Sequence, residues 1–158
     1  MHLEGQFTVA APQADVYRFL TEPAKVGRHL PDVTDVVIAD ADHFTVTARV
    51  GVSHIKGTMV VKLEIRDRQP PVSTTLVGKG SGLGSVVDMV TSFTLEPASG
   101  SEGTGLPRPT TVGWRADVTI SGRLAAFGPQ GLLDRIARKN VDAFVDGIHA
   151  GLRAETRA

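Results

Sequence analysis

Apolar and polar positions alternate from the start of the chain: Leu3, Gly5, Phe7 and Val9 interleave with Glu4, Gln6 and Thr8. That period of two predicts a strand with one buried face. Pro12 then suits the first turn of a helix, and Val16, Phe19 and Leu20 fall on one helical face. A second short helix is predicted from Pro23 to Leu30, because Pro31 cannot continue it and disfavours α geometry at Leu30. Strands follow over Val36 to Ile38, Phe44 to Val50, Gly57 to Ile65, Val72 to Gly80 and Ser85 to Leu95. The breaks at Asp40-Ala41-Asp42, at Asp67-Arg68-Gln69-Pro70-Pro71 and near Gly82 fit antiparallel hairpins, since parallel crossovers need about a dozen residues or more.

Pro97 to Pro109, rich in Pro, Gly, Ser and Thr, reads as an exposed loop to a last strand marked by Val112, Trp114, Ala116, Val118 and Ile120. The period then changes. Leu133, Ile136, Ala137, Val141, Phe144, Val145, Ile148 and Leu152 recur at three- and four-residue spacing and predict a helix from Gln130 to Gly151, roughly 30 Å long. The whole is an α+β domain over residues 1–152 with a short polar tail at 153–158: a meander of antiparallel strands whose concave face holds the long helix.

Strand parity divides the side chains by chemistry. One face carries Phe44, Val46, Ala48 and Val50; Met59, Val61, Leu63 and Ile65; Val87, Met89, Phe93 and Leu95; Trp114, Ala116, Val118 and Ile120. Arg49, Lys62, Glu64, Arg66, Asp88, Arg115 and Asp117 take the opposite parity, leaving Thr91 and Thr74 as the inward polar groups. A pocket is expected between helix and sheet, lined by Phe44, Val46, Met59, Val61, Met89, Phe93 and Trp114. Ile136 and Phe144 would face it from the helix, and Phe19, Val26 and Leu30 would stand near its mouth. Acid–base or covalent catalysis needs titratable or nucleophilic groups inside such a pocket, and none is placed there. An apolar wall with few polar groups suits an apolar ligand, or else simply a packed core.

Composition narrows the remaining choices. With 41% hydrophobic and 22% charged residues the chain falls in the globular range. Seventeen basic and seventeen acidic side chains give no net charge, so nothing draws in nucleic acid. The lack of cysteine removes disulfides, thiolate nucleophiles and Cys-ligated metals, and the five histidines show no ligand spacing, so no cofactor or metal is expected. No signal peptide or apolar span is visible, which predicts a cytoplasmic protein whose membrane contact would be peripheral.

Three features remain open. His29 reads as a solvated helix end, with a ligand role as the alternative. Gly78, Gly80, Gly82 and Gly84 mark either a flexible hairpin or a strip for close approach. Arg135, Arg138 and Lys139 read as a solvated face, with a weak anionic-lipid or acidic-partner contact as the alternative.

Gly5-Gln6-Phe7-Thr8-Val9-Ala10-Ala11-Pro12, Val16, Leu20, Glu22-Pro23 and Leu30-Pro31 resemble the opening of the START-like polyketide-cyclase and lipid-transport superfamily (SRPBCC). Ile55-Lys56-Gly57-Thr58, Asp67 with Pro70-Pro71, the glycines from Gly78 to Gly84, and Ser121-Gly122-Arg123-Leu124-Ala125 with Gly128 and Phe144 are similar to one of its subgroups, the G subunits of carbon monoxide dehydrogenase. The resemblance implies the helix-grip fold. It also implies an accessory role to a molybdenum-containing carbon monoxide dehydrogenase or related hydroxylase, linking it to the membrane and handling a lipid or quinone. Where that subgroup often has Cys-Ile-Pro-Gly, this chain has His29-Leu30-Pro31-Asp32, and some members continue into a C-terminal extension beyond the point matching Ala158, so a tail anchor is not expected. A non-enzymatic binding protein leads; the alternatives are a polyketide cyclase or dehydratase and a structural adaptor with a filled core.

Overall fold

The structure, a computed structural model, describes residues 2–30, 32–52, 55–98, 109–125 and 132–156, with 52, 55, 132–137, 140 and 153–156 described in backbone only. The elements run β1 (His2–Val9), α1 (Gln13–Thr21), α2 (Pro23–Val26), a 3-10 turn (Gly27–His29), β2 (Val33–Ile38), β3 (His43–Val52), β4 (Ile55–Gln69), β5 (Ser73–Gly82), β6 (Ser85–Pro97), β7 (Thr110–Gly122) and α3 (Leu132–Thr156). All pairings are antiparallel in one curved seven-stranded sheet, ordered β1-β7-β6-β5-β4-β3-β2. The meander thus holds from β2 to β7, with β1 returning to the far edge.

Boundaries differ from the sequence reading at several points, each with a local cause. Pro12 is extended and caps α1 rather than entering it. The second helix is α-helical only to Val26; Gly27 then packs so closely under β2 and β3 that a Cβ there would meet Val36 at 3.1 Å and Phe44 at 3.4 Å. β4 runs on to Gln69 because Asp67 takes a positive φ of 52° and the register shifts between Arg66 and Gln69, so the turn is confined to Pro70–Val72. α3 continues past Gly151 to Thr156. The turn at Pro31 and most of the Pro97–Pro109 loop lie outside the described residues, although Ala98 N–H donates to the Pro109 carbonyl (2.9 Å) at the loop's base.

Polar side chains tie α1 to one end of the sheet. Gln13 Nε2 donates to the carbonyls of Pro71 (3.0 Å) and Leu95 (3.1 Å), Tyr17 Oη to Ser73 (2.9 Å), and Thr110 Oγ1 to Ala11 (2.8 Å). Beneath them Val16, Phe19, Leu20 and Val26 are buried with Phe44, Phe93, Leu95 and Val112 in the main core. The C-terminal half of α3 closes this core through Ile148 and Leu152. Two glycines let it sit close: a Cβ at Gly147 would lie 2.8 Å from the His29 carbonyl oxygen, and one at Gly151 2.6 Å from the Phe19 ring. On its other flank His149 Nε2–H donates to the Thr8 carbonyl (3.0 Å) and its ring meets Phe7 edge-on.

At the exposed start of β1, His2 Nδ1 lies 2.8 Å from Asp117 and Nε2 3.1 Å from Glu4. The hydrogen bond that His2 donates to Asp117, then that to Glu4, raises the histidine above its ordinary value. A raised folded value means the clamp contributes fully below about pH 6.5, the unfolded value, and is lost as pH climbs through the folded one. Amide exchange at Leu3 and Glu4 should accelerate across that window beyond the intrinsic base-catalysed trend. His2→Gln should remove the excess; an unchanged excess in that variant would mean His2 does not clamp the strand.

Candidate functional site

The register assembles the inward face row by row. Phe44, Leu63, Gly78, Met89 and Val118 lie side by side across β3 to β7, and the next row is Val46, Val61, Gly80, Val87 and Ile120. On the other side come Ile65, Leu76, Thr91, Ala116 and Leu3, then Thr74, Phe93, Trp114 and Gly5. Every inward side chain in these rows is apolar except Thr74 and Thr91, both buried. Thr74 Oγ1 donates to the Arg66 carbonyl (3.1 Å), and no buried side-chain nitrogen or oxygen lacks a partner among the described residues.

The glycines of β5 shape this face in two ways. At Gly78 and Gly80 the place of a Cβ is closed in by neighbours: Leu63 at 3.0 Å and Met89 at 3.1 Å around the first, Met59 Sδ at 2.9 Å and Val61 at 3.3 Å around the second. The middle strand is therefore a trough over which flexible thioethers lean. Gly82 and Gly84 serve the hairpin instead, with positive φ on either side of Leu83, itself at 55°. The hairpin reading thus holds for Gly82 and Gly84, whereas the neighbours that close on Gly78 and Gly80 are side chains of β4 and β6.

Of the residues expected to line the pocket, Phe19, Val26, Phe44, Val46 and Phe93 are buried in the main core, with Leu30, Val61, Met89, Trp114 and Phe144 half-buried against it. Phe144 reaches Phe93 from α3, ring centroids 6.4 Å apart. Met59 belongs to a smaller cluster with Leu124, linked to the main one through Val61. The side chain of Ile136 lies outside the described residues. Trp114 owes its pose to its partner in β1: a Cβ at Gly5 would stand 3.0 Å from Trp114 Cζ2, so the indole lies across the space a side chain would fill.

His29 is less exposed than a solvated helix end would be. It is half-buried, its Nδ1–H donates to the Lys25 carbonyl (2.8 Å), its ring packs on Phe19 (centroids 5.0 Å), and Nε2 would stand 2.9 Å from a Cβ at Gly151. It is a partly exposed wedge between helices. Leu124 was not anticipated; its N–H is held by Ser85 Oγ (2.9 Å), a buried inward hydroxyl in β6 also missed. A Gly-x-x-x-Gly spacing in the final helix was the legible signal for the Gly147 and Gly151 notch.

Beside the β1, β6 and β7 strands lies an open groove of about 630 Å³ with polar and apolar surface in similar measure, lined by Glu4, Gly5, Gln6, Ser92, Thr94, Gly113, Trp114 and Arg115. Among the described residues no His, Asp and Glu cluster could hold a metal ion, and no helix is long and apolar enough to cross a membrane.

The sequence matches the CoxG family, described as the G subunit of carbon monoxide dehydrogenase, over residues 5–153. No curated protein matches it. A conserved protein from Geobacillus kaustophilus shares the architecture at 18% identity and a TM-score of 0.84, covering 98% of this chain and 96% of that one. A START superfamily protein from Mycobacterium smegmatis aligns at 10% identity and a TM-score of 0.70 over 99% of both chains. The di-domain ARO/CYC StfQ from the steffimycin biosynthetic pathway aligns at 14% identity and a TM-score of 0.64, over 99% of this chain and 52% of that one. These likenesses establish the START-like fold.

Proposed function

Because the chain belongs to the CoxG family of carbon monoxide dehydrogenase G subunits, we propose that it is a non-enzymatic accessory protein that holds an apolar ligand between α3 and the inner face of the sheet. In this reading residues 1–152 form the binding unit, and it serves a molybdenum-containing carbon monoxide dehydrogenase or a related hydroxylase. The ligand is a lipid or quinone, exchanged at the cytoplasmic face of the membrane through peripheral contact.

The observation that carries the reading is the mismatch between orientation and burial at Val61, Met89, Trp114 and Phe144. All four belong to the apolar inner layer, yet all remain half-buried. Such surface, removed from water by a ligand, stabilises the complex by roughly 25 cal/mol per Å². The layer's chemistry favours binding over cyclisation, because its hydroxyls at Thr74, Ser85 and Thr91 are not general acids or bases near neutral pH. Tyr17, the one phenol, donates its hydroxyl to the Ser73 carbonyl in a structural contact.

Organic-solvent extraction of the purified protein, followed by mass spectrometry, should release a near-stoichiometric apolar molecule. Met89→Glu, which sets a charge in the trough, should release none while keeping its circular dichroism. An empty extract from the parent protein, with Trp114 emission indifferent to added lipids, would favour the filled adaptor.

A further inference from the structure

Across the outer face of the sheet, Thr45, Lys62, Lys79 and Asp88 stand side by side on β3, β4, β5 and β6. Lys62 and Lys79 are exposed cross-strand partners, and like charges so placed repel. Arg49, opposite Thr58, and Lys56, opposite Gly51, extend the patch toward the β3–β4 hairpin, both exposed. Among the described residues none of these four cations makes an ion pair.

The carboxylates around them compensate only in part. Asp88 stands opposite Lys79 without an ion pair to it, Glu64 is engaged by Arg66 and His43, and Asp35 at the sheet edge pairs with Thr47 in register. At the centre Val60 is 42% exposed, between Thr47 and Ser81.

We propose that this outer face of β3, β4 and β5 docks an acidic segment of a partner protein. Carboxylates placed over Lys62 and Lys79 would relieve their repulsion, the hydroxyls of Thr45, Thr47, Thr58 and Ser81 would donate to them, and Val60 would give the contact a small apolar centre. A bilayer is the poorer fit. Interfacial faces carry Trp, Tyr, Phe and Leu, whereas the outward positions of these strands offer valine, threonine and charge. The patch lies across the sheet from the apolar layer, so docking and ligand holding do not compete for surface.

A fluorescein-labelled polyglutamate peptide should bind the full chain at low ionic strength, and Lys62→Gln with Lys79→Gln should weaken it roughly tenfold. That variant should melt no lower than the parent, since a repulsion is removed. Arg138→Gln with Lys139→Gln deletes the same charge from exposed positions of α3 and should change affinity less than about twofold. The proposal is overturned if both pairs weaken binding alike, if the peptide does not bind, or if vesicles of phosphatidylcholine and phosphatidylglycerol bind while the peptide does not.

Discussion

Phe19→Ala should lower the unfolding free energy by about 3–5 kcal/mol, a large share of the roughly 5–15 kcal/mol available to a domain of this kind. The ring is 1% exposed and fills the junction where α1, the 3-10 turn and α3 meet. His29 packs against one part of it, and Gly151 brings the α3 backbone onto another. Two of its neighbours are poorly placed to collapse into the void: His29 is held through Nδ1 by the Lys25 carbonyl and Gly151 has no side chain. Urea unfolding followed by circular dichroism measures the effect. Phe144→Ala should cost less, about 2 kcal/mol, because that ring is half-buried rather than fully enclosed as its place in the apolar stripe suggests. A loss below about 1 kcal/mol for Phe19→Ala would mean that α3 does not lock onto α1.

Affinity for apolar probes should climb with tail length. Each methylene removed from water contributes about 0.8 kcal/mol, so about four added to a fatty-acyl probe should tighten binding by roughly 3 kcal/mol, on the order of 200-fold, until the space is full. Trp114 is the natural reporter. It is the only tryptophan in the chain and sits half-buried at the β1 side of the inner face. Titration should therefore shift its emission, with a midpoint that falls as the tail grows. Affinity that ignores tail length would leave no role for the apolar layer in binding and would turn the proposal toward an adaptor.

Strand parity was legible because a half-buried antiparallel strand must alternate: β3 and β7 do so throughout, and β4 and β6 do so apart from the outward valines Val60, Val86 and Val90 and the inward hydroxyls of Ser85 and Thr91. Which residues of these strands face inward, from Phe44 to Trp114, follows from that alternation, as does the absence of ionisable groups among them. So do the hairpin connections, since the breaks are too short for crossovers. The apolar stripe of α3 likewise identified Phe144, Ile148 and Leu152 as core-facing before any partner for them was known.

What periodicity cannot carry is register between elements and the distance of closest approach, because both depend on which backbone meets which. Only the tertiary structure places Gly147 and Gly151 against His29 and Phe19, and so converts a histidine that reads as solvated into a wedge. Only the pairing of β1 with β7 sets Gly5 under the Trp114 indole, and only the β4–β5 register brings Lys62 opposite Lys79. The glycine run of β5 shows the division plainly. Its spacing puts four glycines on one face of an extended strand, but the neighbours decide their roles: Met59, Val61, Leu63 and Met89 crowd Gly78 and Gly80, whereas Gly82 and Gly84 turn the chain. The sequence by itself determined the fold class and the chemistry of each face, because both follow from period and side-chain type. The tertiary structure decided which inward residues are sealed and which keep surface for a ligand, because burial depends on the packing of elements far apart in the chain.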